Sequence, residues 1–314
     1  MTTVTLPRTL TYIDDWAFHG STSLTGNFVI PSSVEHIGDN AFDTIPCTGQ
    51  LHLSERLKWI GAEAFAHSKF SGFVIFPRGL EYIDHDAFWD CTSITQIVLR
   101  EGLKTISDGA FQQSTNIAGE LLLPNSLTYI GDYAFSGCSK LTGTLVIPSG
   151  VVTIGQYAFK NCTGFTELSL TEGLEEIYDG AFKDLEFTNH NLYLPSTLEL
   201  LGKNAFANCW QLTGDLVIPE GITRVYQGAF DGCEGYEDVI VLPTKLTYIE
   251  DYAFYYTYVD TVICYAEVPP DFEQSSMGMI SIAYVPDYLY DTYTNDQLWD
   301  SSFTIYKLSD YPVI

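Results

Sequence analysis

Residues Leu145-Val146-Ile147-Pro148-Ser149-Gly150-Val151-Val152-Thr153-Ile154-Gly155-Gln156-Tyr157-Ala158-Phe159-Lys160-Asn161-Cys162 hold one full turn of a pattern that runs through this 314-residue chain. Its most legible landmark is the Ala158-Phe159 pair. Equivalent pairs stand at Ala17-Phe18, Ala41-Phe42, Ala64-Phe65, Ala87-Phe88, Ala110-Phe111, Ala134-Phe135, Ala181-Phe182, Ala205-Phe206, Ala229-Phe230 and Ala253-Phe254, eleven in all, at steps of 23 or 24 residues. A fixed period of this length marks a solenoid, whose units are too small to bury an apolar face alone and do so against their neighbours.

The frame around the pair is equally regular. An aliphatic residue lies four positions before each Ala, from Ile13 to Ile249, and another three positions earlier, from Leu10 to Leu246. Upstream lies an alternating trio, as in Leu145-Val146-Ile147 or Leu216-Val217-Ile218, closed by proline. The trio predicts a short strand with its first and third residues inward. Proline ends it because it cannot donate to a ladder. The Leu-x-x-Ile piece predicts a second short extended segment. The Ala-Phe pair is expected on a single helical turn, with Asp15, Asp39, Asp108, Asp132, Asp179 and Asp251 as N-caps. The predicted fold is a β-rich solenoid, a right-handed superhelix of about eleven coils over residues 1–264. Residues 265–314 are expected to be a degenerate terminal repeat and C-terminal cap that protects the open sheet end.

The unit, clearest at Leu145 to Cys162 and Leu216 to Cys233, resembles the BspA-type, or Treponema pallidum-type, leucine-rich repeat over about residues 4 to 264. The tail, with Cys264-Tyr265-Ala266, Pro269-Pro270 and Tyr284-Val285-Pro286, resembles the closing segment of such proteins from gut and oral bacteria. The resemblance implies a cell-surface or secreted bacterial protein used in adhesion, without catalytic activity. Met1-Thr2-Thr3 runs straight into the pattern, so the chain carries no leader of its own by this reading.

Charge narrows the partner. With 14 Lys plus Arg against 40 Asp plus Glu the net charge is −26, which argues against a phosphate backbone and an anionic membrane surface. No apolar run approaches a membrane span. The six histidines show no metal-ligand spacing, and no catalytic or phosphate-binding glycine motif exists. Neither a catalytic residue nor a cofactor or metal is expected. Five of the seven cysteines, Cys91, Cys138, Cys162, Cys209 and Cys233, share one repeat position, three after the Phe, and read as small buried free thiols. The acidic clusters read as caps and solubilising charge in preference to calcium ligands, because no calcium-binding loop is present.

Two stripes remain for recognition. The middle trio residues point away from the core, and Ile75, Val98, Leu122 and Val146 make an apolar row. They are either plain strand formers or a docking stripe. The residues just before the isoleucine ladder are aromatic toward the N-terminus, with Tyr12, Trp59 and Tyr82. The expected function is a monomeric, non-catalytic scaffold for a protein ligand, such as a host extracellular or cell-surface protein. The alternatives are a carbohydrate-binding module using the Tyr and Trp stripe, or the non-catalytic part of a larger enzyme.

Overall fold

The computed structural model describes residues 4–25, 28–188 and 190–312. Met1-Thr2-Thr3 and the His190 side chain lie outside the described residues. The chain forms two compact units, 1–166 and 167–314, and each is a parallel solenoid.

In the first unit, seven two-residue strands from Tyr12–Ile13 to Thr153–Ile154 pair in parallel, one per coil. Register places Ile13, Ile37, Ile60, Ile83, Ile106, Ile130 and Ile154 in one column. All seven are buried, so the sequence ladder is a physical one. The trio strands form a second face, with Gly72–Ile75 beside Ile94–Val98 and Ala118–Glu120 beside Lys140–Val146. Within Leu145-Val146-Ile147 the outer two residues are buried and Val146 is exposed, as the alternation requires. The phenylalanines stack nearly parallel between these faces. Successive ring centroids from Phe18 through Phe42, Phe65, Phe88, Phe111, Phe135 to Phe159 lie 5.0–5.4 Å apart.

In the second unit the same two faces recur. Arg224–Val225, Tyr248–Ile249 and Asp271–Phe272 pair on one side. Leu216–Val217, Val239–Leu242, Thr261–Cys264, Ile282–Val285 and Thr304–Lys307 form a five-stranded sheet on the other. The sheet therefore continues three strands past Val239–Leu242 of the last Ala-Phe coil, and the count rises from the expected eleven to about thirteen turns. The extra turns lack the Ala-Phe pair, which hid them from the period. Helix α1 (Tyr290–Thr294) and helix α2 (Gln297–Ser302), the latter capped by Asp296, lie between the final two strands. Trp299 is fully buried there and donates its indole N–H to the Pro270 carbonyl at 2.8 Å.

The expected single helical turn at Ala-Phe does not form. In every coil the residue before Ala and the residue two after Phe have positive φ, as at Asp86 (53°) and Asp90 (51°). Among the described residues, all sixteen non-glycine residues with positive φ occupy one of these two positions. Left-handed residues break a helix, and what results is a run of tight turns. In the fourth coil the N–H groups of Ala87 and Trp89 donate three residues back, to Asp84 and Asp86. Those of Asp86, Phe88 and Asp90 donate to Asp108, Ala110 and Gln112 of the next coil at 2.8–2.9 Å. Alternate N–H groups thus close the turn or stitch the stack, which satisfies the backbone without a helix.

The aspartates are accordingly not caps of their own helices. Asp15, Asp39, Asp108, Asp132 and Asp179 accept instead from the next coil, as in Ala62 N–H to Asp39 Oδ1 at 2.8 Å, Asp132 N–H to Asp108 Oδ1 at 2.9 Å and Lys203 N–H to Asp179 Oδ1 at 2.7 Å. This explains the glycine after the isoleucine. Gly38, Gly61, Gly131, Gly155 and Gly202 have no positive φ; each follows a coil that presents Asp15, Asp39, Asp108, Asp132 or Asp179. A Cβ on Gly61 would lie 2.5 Å from Asp39 Oδ1 and 2.8 Å from the Asp39 nitrogen. Where the preceding Ala-Phe coil lacks that Asp, the position carries Asp84, Ser107, Tyr178, Tyr226 or Glu250.

Candidate partner-binding surface

The outer side chains of the trio strands are positioned by the pleat: their neighbours on both sides in sequence are held in the core, so they face solvent. Leu122 is 72% exposed, Val29 62% and Val146 48%, and Ile75 and Val98 are less open at 37% each. Ile75 and Val98 are direct register partners, and Val29 bridges to His52. Leu122 follows the Ala118–Glu120 strand, and Val146 closes Lys140–Val146. Gln96, Glu120 and Thr144 are exposed beside them. Phe73 joins this surface, which the trio pattern missed. It lies two residues before Ile75 on the same side of the strand, opposite Gln96, and is 45% exposed. It shares a shallow depression with His52, Ile75 and Arg100.

Tyr12, Trp59 and Tyr82 fall on the other face and are joined by His36 into one column. Ring centroids are 4.5 Å apart from Tyr12 to His36, 6.1 Å from His36 to Trp59, and 4.7 Å from Trp59 to Tyr82. Tyr12 is exposed, and the other three are half-buried. Burial among the rings lowers the His36 pKa and outweighs the pull of Asp15 and Asp39. Beside the column Glu35 pairs with Lys58 at 3.6 Å and Glu81 with Lys104 at 2.6 Å, so its flank is charge-balanced.

The other reactive groups serve the stack. All seven thiols are free and buried. Those of Cys91, Cys138, Cys162, Cys209 and Cys233 donate to the phenylalanine carbonyl of the preceding coil at 3.0–3.2 Å. In the fifth coil the Ser114 hydroxyl makes the same bond to Phe88 at 2.7 Å, so the position selects a small buried donor. Burial pushes the thiols of Cys91, Cys138 and Cys209 up to about 12, which keeps them protonated and inert at neutral pH. His19 and His67 flank the Asp43 carboxylate at 3.1 and 3.2 Å. Burial works against charge on His85, but the hydrogen bond and charge of Asp84, with Asp108 and Asp86, hold its pKa up. Among the described residues no group of three His, Cys, Asp or Glu is arranged to hold a metal ion, and no helix is long and apolar enough to cross a membrane.

The model of the BspA type leucine-rich repeat region, in six copies, matches residues 1–118 and 119–237. Among solved structures, the chain is similar to a leucine-rich cell surface protein from Faecalibacterium prausnitzii, with 22% identity over 97% of this chain and 87% of that one and a TM-score of 0.52. It is also similar to the pneumococcal vaccine antigen PcpA, with 17% identity over 94% and 83% of the two chains and a TM-score of 0.54. A leucine-rich repeat protein from Eubacterium ventriosum gives 20% identity, coverage of 89% and 82%, and a TM-score of 0.50. The search of curated proteins found no match. At these identities the structures speak for the fold alone. The match to the repeat model spans most of the chain and coincides with the coils described above, and the chain belongs to the BspA-type leucine-rich repeat family.

Proposed function

We propose that this protein is a surface-exposed or secreted scaffold that recognises a protein partner through the outward residues of its trio strands, without catalysis. The observation that carries this reading is the exposed aliphatic row of Ile75, Val98, Leu122 and Val146, extended by Val29 and Phe73. A solvated sheet face ordinarily alternates to polar residues, and exposed aliphatic side chains recurring at the same position of successive coils favour a covering partner. The cell-surface relative and the pneumococcal antigen that share the fold support the location.

A carbohydrate partner is less well served. A sugar stacks on the open face of an aromatic ring, whereas His36 and Trp59 use their faces on ring neighbours within the column. Probing the labelled chain against arrays of purified extracellular proteins and of glycans separates the two readings. Retention on a protein spot with none on glycans is expected; retention on glycans alone, lost in Trp59→Ala, would replace this reading with the carbohydrate one.

A further inference from the structure

In the second unit the outer face of the five-stranded sheet carries two concavities at opposite ends of the same strands. At the strand ends lies an apolar groove. Val217, Val241, Pro219, Pro243 and Tyr265 line it, with Glu220 among them as its one charged residue. Val217 is 52% exposed, and Val241 is its direct register partner. At the strand starts lies a cavity of about 750 Å3 lined by Asp215, Glu237 and Asp238 together with Thr261, Tyr284 and Tyr311. Its aromatic wall is ordered: the Tyr284 and Tyr311 rings meet edge to face at 4.9 Å, and Tyr284 stacks on Tyr306 at 5.4 Å.

The charge of the cavity is uncompensated. No Lys, Arg or His lines it. Among the described residues none of its three carboxylates makes an ion pair. Elsewhere the stack uses its acids: Glu101, Glu172 and Glu220 accept backbone N–H groups of the next coil. Burial and the nearby Asp215 raise the Tyr311 pKa, so its ring stands as a neutral phenol beside the acids. The carboxylates do not converge as metal ligands do. A roomy, acidic space walled by tyrosines instead suits an organic cation, held by Coulomb attraction.

We propose that this face docks an extended segment of a partner protein that sets a Lys or Arg side chain in the acidic cavity and an aliphatic side chain in the groove. From Thr261 beside the cavity to Tyr265 beside the groove is four residues, or roughly 13 Å at strand rise. The spacing in the partner is therefore about four residues. The inference rests on the reading of the chain as a protein-binding scaffold, but it uses a different surface from the Ile75–Val146 row.

The test is selection of a random twelve-residue peptide library on the full chain, followed by titration of an enriched peptide. Enriched peptides are expected to carry Lys or Arg three to five residues from Leu, Ile or Val. Asp215→Asn, Glu237→Gln and Asp238→Asn together should weaken the peptide at least tenfold, as should Val241→Asp alone, and raised salt should weaken it as well. The thermal midpoint of the charge variant serves as the folding control, and it should hold because these carboxylates support no inter-coil bond. Enrichment of acidic or uncharged peptides, no enrichment, or affinity indifferent to both variants overturns the inference. Loss of the peptide in Val98→Thr, Leu122→Thr, Val146→Thr instead would overturn this site while leaving the scaffold reading intact.

Discussion

At the residue scale, stability depends on what each side chain meets in the neighbouring coils. Phe111 is fully buried and lies between Phe88 at 5.4 Å and Phe135 at 5.2 Å. Phe111→Ala should cost about 3–5 kcal/mol in denaturant unfolding, because the cavity is walled on both sides. Phe18 is half-buried, with ring contacts to Phe42 and Phe28, and Phe18→Ala should cost about 1–2 kcal/mol. Equal losses would mean that burial between two coils is not what holds the ring. The glycine code makes a sharper claim. Gly61→Ala forces a methyl against Asp39 and should destabilise by about 1–3 kcal/mol. In an Asp39→Ala background the same change should cost less, since the carboxylate is gone, although the Asp39 backbone remains close. A double-mutant cycle in which the two effects simply add would sever Gly61 from Asp39.

At the scale of the element, the coil is a stack of backbone and carboxylate ladders. Glu101 accepts the N–H groups of Asn125 and Ser126, and Glu172 those of Ser196 and its hydroxyl. These bonds hold both carboxyls below their usual pKa. A depressed folded pKa gives stability that is present above the unfolded value near 4.5 and lost as pH falls through the folded one. Glu101→Gln with Glu172→Gln should therefore lower the melting midpoint at pH 7. The gap to the unaltered chain should close as pH drops below about 4.5. A gap that persists or widens in acid would contradict the ladder. The same scale shows what the sequence conveyed and what it did not. Trio, proline and both aliphatic ladders were legible because burial imposes a strict period on Ile, Leu and Phe. The turn around Ala-Phe was misread as a helix. Asp two residues before an apolar pair looks the same as an N-cap when the residues forced to positive φ are Trp16, Tyr133 or Tyr252 in place of glycine. Nothing local marks them; the hydrogen bonds that hold them come from the next coil.

At the scale of the whole molecule, the repeat makes the core uniform and leaves the outward positions free to vary, and the proposed recognition surface lies where the pattern is loosest. Ile75, Val98, Leu122 and Val146 were identifiable because trio alternation fixes which residue faces out. Phe73 lies on the same face but one pleat outside the trio, and His36 joins Tyr12 to Trp59 although no aromatic carbocycle marks its position in the stripe. The cavity of the second unit was least legible: Asp215 and Tyr311 are 96 positions apart in the chain and no period links them. On the proposed reading, a net charge of −26 favours a basic partner surface, and association with it should slow as salt is raised. The most direct test of the central claim is the affinity of a partner from the protein array for the chain carrying Val98→Thr, Leu122→Thr and Val146→Thr. Threonine keeps strand propensity and removes the exposed apolar contact. The account predicts an unchanged melting midpoint and at least tenfold weaker binding; an undiminished affinity, or a variant that no longer folds, would contradict it.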